Sequence, residues 1–119
     1  MGVRAAEELV VVLGNRQAVV ATAVAGDIYI PFAGIIIAWT MVADASGSIT
    51  VDTWKAAYPT IPTVSNTMWG TKPNLSSQQV NQATGLSITV NAGDIIRYNV
   101  DSATTVKQVT LSFTILRTA

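Results

Sequence analysis

The stretch QVTLSFTI, residues 108–115, alternates polar and apolar side chains without interruption. Its apolar members are Val109, Leu111, Phe113 and Ile115. Successive side chains of a β-strand point to opposite faces, so this pattern predicts a strand with one buried and one solvent-facing side. A half-buried strand of this kind is typical of an antiparallel sheet.

Similar segments recur along the whole chain. Residues 48–54, 86–90 and 95–100 show apolar side chains on one face, and apolar runs fill residues 9–13, 18–24, 27–30 and 35–42. The turn residues Asp44–Gly47 predict a hairpin before residue 48, and further turns are expected at residues 91–94 and 101–102. About eight short strands in one small chain predict an all-β fold, a single-domain antiparallel β-sandwich that is jelly-roll-like.

The chain is long enough for one domain with one core. We expect residues 1–8 to form an N-terminal arm and residues 9–119 to form the jelly-roll β-sandwich domain. Residues 56–85 contain three prolines and form a long excursion, in which residues 76–83 are expected to hold a helical turn. Such an excursion is either a functional segment or a lid that closes one end of the sandwich.

The composition excludes several kinds of catalytic and metal-binding site. The chain has no His and no Cys, 12% charged residues and a formal net charge of zero. Zinc sites and His-dependent nucleophiles lack their residue types, and no basic run or bilayer-length apolar segment is present. We therefore expect no enzyme, no cofactor, no metal site, no nucleic-acid partner and no membrane partner. The low charge favours a subunit of an assembly over a free monomer.

Some strands are apolar on both faces, although a strand of a small sandwich has only one face in the core. A second apolar face needs cover, either from residues 56–85 or from another subunit. We expect a homo-oligomer, with subunit contacts at Val10, Val12, Ile36 and Ala38.

Aromatic and acidic side chains are the other candidates. Trp54, Tyr58 and Trp69 can stack on sugar rings if they are exposed, or they lie buried under the excursion. Carboxylates near strand ends can serve a glycosidase or Ca²⁺, but turn chemistry explains their positions as well. The set is Asp44, Asp52, Asp94 and Asp101. An enzyme acting on cell-wall polysaccharide through Asp52 or Asp94 is the remaining catalytic alternative.

Several strings resemble a small jelly-roll domain that recurs in tailed-bacteriophage virion structural proteins. They are IPFAG at residues 30–34, VADASGSITVDTWK at residues 42–55, TKP at residues 71–73 and AGDIIRYNVDSATTV at residues 92–106. The resemblance covers nearly the whole chain from about Leu9 onward. Its motifs are specific as strings and structural in character.

The resemblance implies a virion protein made in the host cytoplasm. In that family the domain often stands at the end of longer tail or fibre proteins, whereas only Met1–Glu8 precede it here. A free-standing domain resembles the capsid decoration (cement) proteins, which implies a homotrimer that binds the major capsid protein and stabilises the head. Residues 1–8 would then be an arm that orders on the capsid. The alternative is a tail-tip or tail-fibre receptor-binding module that recognises host surface glycan.

Overall fold

The computed structural model describes residues 6–118, and these form a sheet of seven antiparallel β-strands with one short 3₁₀ turn, η1. One path through the sheet is β1-β7-β3-β6-β2, and β4 and β5 also pair with β3. The predicted all-β, single-domain antiparallel class is confirmed, with seven strands in one curled sheet where we expected about eight. The elements are β1 (Ala6–Gly14), β2 (Ala23–Ile30), β3 (Gly34–Ala57), η1 (Val64–Asn66), β4 (Asn74–Ala83), β5 (Ile88–Val90), β6 (Asp94–Thr104) and β7 (Gln108–Arg117).

Strand β3 organises the fold because it is 24 residues long. A straight strand of that length would span about 80 Å, but the longest dimension of the molecule is 46 Å, so the sheet must bend. Residues 34–43 pair with β7 and residues 48–57 pair with β6. We call β1, β7, β5, residues 34–43 and residues 80–83 the first half-sheet. The second half-sheet consists of β2, β6 and residues 48–57.

The bend lies at residues 44–47, where we expected a hairpin. That expectation is wrong, because β3 continues without a break through these residues. Gly47 permits the bend: a Cβ atom there would lie 2.7 Å from the Thr104 carbonyl oxygen and 2.9 Å from the Val106 side chain. Asp44 accepts hydrogen bonds from the backbone N–H groups of Lys107 and Gln108, which fixes the chain between β6 and β7 against the bend.

The two half-sheets share one hydrophobic core. The predicted alternation of β7 is confirmed, since Val109, Leu111, Phe113 and Ile115 are all at most 1% exposed. Trp69 stacks on Phe113 with ring centroids 5.9 Å apart and an interplanar angle of 15°. The excursion thus supplies a core residue that packs against the first half-sheet.

The excursion is more regular than its composition indicates. We expected a helical turn at residues 76–83, which is wrong because this polar segment belongs to β4. Strand β4 pairs with β3 on both sides of the bend. Before β4, the Val51 N–H donates to the Pro73 carbonyl and the Met68 N–H donates to the Thr53 carbonyl, so the segment between η1 and β4 is also bound to β3. Residues 67–83 therefore run along the second border of β3, and Trp69 within them reaches the core.

Three further boundaries differ from the sequence interpretation. Residues 15–22 form a loop where we expected a strand at 18–24, and the Val20 N–H donates to the Val106 carbonyl. The turn expected at residues 101–102 lies at 105–107. Ala6–Glu8, which we assigned to the arm, are the first residues of β1, while residues 1–5 lie outside the described part of the chain.

Candidate binding surfaces

The outer face of the first half-sheet carries an exposed apolar row. Val12 pairs with Thr110, Thr110 with Val42 and Val42 with Val80, so these side chains run across β1, β7, β3 and β4 on one face. The three valines are 54%, 47% and 58% exposed. Val10, on the same face of β1, is 56% exposed. We call this set (Val10, Val12, Val42 and Val80) the valine row.

Two charged side chains of residues 6–118 lie at this face: Arg16 donates a 2.6 Å hydrogen bond to Gln108 of β7, and Glu8 is also bound within the chain. Its carboxylate accepts a 2.7 Å hydrogen bond from the Thr114 hydroxyl and a short one from the Ser112 hydroxyl. Charge-assisted bonds of this kind hold the carboxylate against β7. The face therefore presents mainly aliphatic and hydroxyl groups to a partner.

The predicted subunit contacts fall into two groups. Val10 and Val12 lie exposed on the outer face, whereas Ile36 is fully buried and Ala38 is half-buried. Ile36 as a subunit contact is wrong because its side chain lies in the core. A register shift against β7 between Ile36 and Ala38 inserts one residue, which turns the following side chains to the opposite face. Val42, which we did not name as a contact, is exposed in consequence.

The outer face of the second half-sheet has a different chemistry. Tyr29 on β2 and Tyr58 after β3 are 58% and 68% exposed, and their rings meet edge to face with centroids 6.2 Å apart. Tyr58 was a predicted glycan contact and is accessible to one. Tyr29 was missed, although the alternation of residues 27–30 places it opposite Ile28 and Ile30 and so on an outer face.

An ion pair lies on the same face, two residues before Tyr29 on β2. The Arg97 guanidinium donates to both carboxylate oxygens of Asp27, at 2.7 and 3.1 Å. This hydrogen bonding lowers the pKa of Asp27 and raises the pKa of Arg97. Trp54 pairs with Arg97 in the sheet, so Asp27, Arg97 and Trp54 form a row across β2, β6 and β3.

Trp54 is fixed in orientation by a buried carboxylate. Its indole N–H donates to Asp52 over 3.0 Å, and the Thr67 hydroxyl donates to the same carboxylate over 2.6 Å. Lys72 lies 3.5 Å from Asp52 and 2.6 Å from Asp101, and its bond to Asp101 raises the pKa of Lys72. Asp52 is 1% exposed, so it serves to attach residues 67–72 to β3.

Trp69 is wrong as a glycan contact, because it is 8% exposed and stacked on Phe113. Its indole N–H donates to the Thr53 hydroxyl over 2.6 Å. Trp54 is half-buried, which leaves Tyr58 as the exposed member of the predicted aromatic set. Trp69 belongs to the excursion itself and is buried in the core against Phe113.

The remaining carboxylates have structural partners. Asp94 is buried, and its carboxylate accepts a 2.8 Å hydrogen bond from the Asn91 N–H, as expected for a turn residue. The two backbone N–H groups that bind Asp44 lower the pKa of its carboxyl. Residues 6–118 contain no group of three or more acidic side chains placed to hold a metal ion. Nor do these residues include a helix of the length and apolar character needed to cross a membrane.

No family model and no curated protein matches the sequence. Two solved structures are similar in overall form. The crystal structure of the SPBc2 prophage-derived protein YomS has a TM-score of 0.46 and 9% identity over 98% of each chain. The K3 cleaved adhesin domain of Lys-gingipain from Porphyromonas gingivalis w83 has a TM-score of 0.40 and 14% identity, covering 80% of this chain and 62% of its own. At these scores and identities, neither likeness bears on function.

Proposed function

We propose that the chain is a structural protein of a tailed-phage virion, a capsid decoration protein that binds the head as a homotrimer. The sequence strings at residues 30–34, 42–55 and 92–106 suggest the virion setting and the trimer. The observation that carries the binding role is the valine row on the outer face of the first half-sheet. A row of half-exposed valines beside neutral hydroxyls is a surface that gains from burial by another protein.

The gain from covering the valine row can be estimated. Full burial of a valine contributes at least about 1.5 kcal/mol, so four side chains that are each half exposed offer about 3 kcal/mol or more. A protein that binds the assembled shell and not its free subunits stabilises the shell by RT ln(1 + [L]/Kd) at every site. At a free concentration 100-fold above Kd this is about 2.7 kcal/mol per site, so many sites together make the head resistant to heat.

The test uses undecorated heads of the phage that encodes the chain, mixed with purified protein and imaged by electron microscopy. Regular density at symmetry positions on the shell is the expected result. Val42→Lys should weaken binding by about tenfold or more, because a lysine in the middle of the valine row must be desolvated. Val64→Lys, the same change at an exposed position on η1, is the matched control. Bare shells with the unmodified protein would overturn the proposal.

Glycan recognition at a tail tip is the second candidate, favoured by the exposed Tyr29–Tyr58 pair beside the Asp27–Arg97 pair. Aromatic faces with a few fixed polar groups are the usual lining of small-ligand sites. Under this hypothesis, Tyr58→Ala should abolish binding of the protein to host-surface glycans, whereas Val80→Ala should not. Binding to glycans by the unmodified protein, together with bare shells, would place this function first.

A further inference from the structure

Within residues 6–118 the sheet has borders at β1, at β2 and along β4 with the three-residue β5, and these are not equivalent. Strand β2 has a register irregularity between Val24 and Gly26 and is followed by Pro31. Strand β4 meets β3 through two register shifts, and Ser77 within it has a positive φ of 50°. Bulges, prolines and irregular backbone are the features by which sheet proteins prevent edge-to-edge pairing. Both of these borders carry them.

Strand β1 carries none of these features. It pairs with β7 in unbroken register over nine residues, its single glycine is its last residue, and it contains no proline. No strand within residues 6–118 pairs with its other edge. Of its two carboxylates, Glu8 is held against β7 by hydroxyl groups and Glu7 lies 3.5 Å from Arg117 of β7. A long, regular, unpaired edge is a template for pairing with another chain.

The sequence of this edge complements itself when it is reversed. Glu7 and Glu8 stand at its start, the run Leu9–Leu13 is wholly aliphatic, and Arg16 follows its end. A parallel copy would place each glutamate beside its own copy, and like charges directly opposite each other are destabilising. An antiparallel copy places aliphatic residues against aliphatic residues and brings the acidic start of one strand towards the basic end of the other.

We infer that β1 pairs antiparallel with β1 of a second copy of this chain, about a two-fold axis at Val11. In this register Leu9 faces Leu13 of the second copy, and Val10 faces its Val12. Shifting the axis to Val10 would set Glu8 against a valine and Glu7 against a leucine. Shifting it to Val12 would shorten the ladder and set Leu9 against Asn15. The axis at Val11 gives the longest ladder that keeps both carboxylates away from apolar partners.

This contact goes beyond the proposed trimer, since a two-fold axis joins two chains or links two trimers. The chain has no cysteine, so single introduced thiols report the register directly. Cross-strand neighbours have Cα atoms about 4.5–5.5 Å apart, within the range of about 4.4–6.8 Å that a disulfide spans. Diagonal neighbours lie at about 7–8 Å and form the bond poorly. Val10 and Val12 are exposed, so a cysteine at either position leaves the core intact.

The experiment mixes Val10→Cys with Val12→Cys under mild oxidation and measures covalent dimers by mass spectrometry. We expect dimers of mixed composition, at a yield several-fold above that of either variant alone. A mixture of Val12→Cys with Val80→Cys is the matched control, because Val80 lies on β4, three strands away. Mixed dimers no more abundant than in this control, or dimers of Val10→Cys alone in greater yield, would overturn the inference.

A second measurement uses the unmodified protein. Sedimentation equilibrium should give a mass of two or six chains, and one or three chains would refute the two-fold contact. Hydrogen exchange should show protection of every amide in residues 8–12, whereas a free edge leaves alternate amides unprotected. Head binding is scored separately through Val42→Lys on β3, so failure of the β1 contact and failure of the decoration role give different results.

Discussion

Replacing Trp69 with alanine tests whether the excursion is part of the core. The indole stacks on Phe113 of the first half-sheet and donates a hydrogen bond to Thr53 of the second, so it connects both to residues 58–85. Truncating a buried tryptophan costs about 3–5 kcal/mol, through lost burial and the cavity left behind. We expect Trp69→Ala to lower the free energy of unfolding by that amount.

The hydrogen bond can be isolated from the packing. Thr53→Val keeps the side-chain volume and leaves the buried indole N–H without an acceptor, which costs about 1–3 kcal/mol. Trp69→Phe keeps an aromatic ring and removes the donor. In the double variant both partners are absent, so its loss should be smaller than the sum of the two single losses.

The assay is urea-induced unfolding followed by far-ultraviolet circular dichroism, because the substitutions at residue 69 remove a tryptophan and so change the fluorescence signal itself. Ile61→Ala, in the same excursion at a side chain that is 51% exposed, is the matched control and should change stability by less than about 0.5 kcal/mol. A loss for Trp69→Ala below about 1 kcal/mol, or equal to that of the control, would show that residues 58–85 are not packed as described.

Three other predictions follow from the geometry. Gly47→Ala should destabilise strongly because its Cβ atom would meet a carbonyl at 2.7 Å, whereas Gly70→Ala, with open space around it, should be nearly neutral in thermal unfolding. Ile36→Ala should lower the free energy of unfolding by about 2–5 kcal/mol and Val42→Ala by less than about 0.5 kcal/mol in urea titrations. The reverse order would refute the change of face that the inserted residue produces in β3. The pKa of Asp44 is lowered from its ordinary 3.8 by backbone N–H groups. Its contribution to stability is therefore complete above that value and is lost as the pH falls through the lower folded pKa. Asp44→Asn should flatten the acid limb of a pH–stability curve, and an unchanged limb would contradict this.

The strands that could be predicted from sequence are those whose apolar residues follow a two-residue period or form a continuous apolar run. Val109–Ile115 in β7 is the best case, since burial follows the alternation residue by residue. The polar segment of β4 has no such period. It becomes a strand because its backbone pairs with the edge of β3 on both sides of the bend. Tertiary context of this kind has no local signal in the sequence.

Two further differences have local physical causes. Residues 44–47 have the composition of a hairpin turn, but the collinear strands β6 and β7 hold β3 extended past them, with Gly47 needed for the close approach to Thr104. The single inserted residue near Ile37 reverses the face of every later side chain in that part of β3. Alternation alone places Ile36 and Val42 on the same face, and the inserted residue is the reason that Ile36 is buried while Val42 is exposed.

The two outer faces divide the chain's few charges unevenly, and this division links the proposals. The second half-sheet and its attached segment carry Asp27, Arg97, Asp52, Lys72 and Asp101, and each of these charges lies within 3.5 Å of an opposite one. The first half-sheet carries Glu8, which is bound by hydroxyl groups, and the ion pair between Glu7 and Arg117. A protein of zero net charge has little long-range repulsion to keep its copies apart. Association is therefore set by local surfaces, and the valine row and the β1 edge lie together on the half of the molecule where the charged side chains already have partners within the chain.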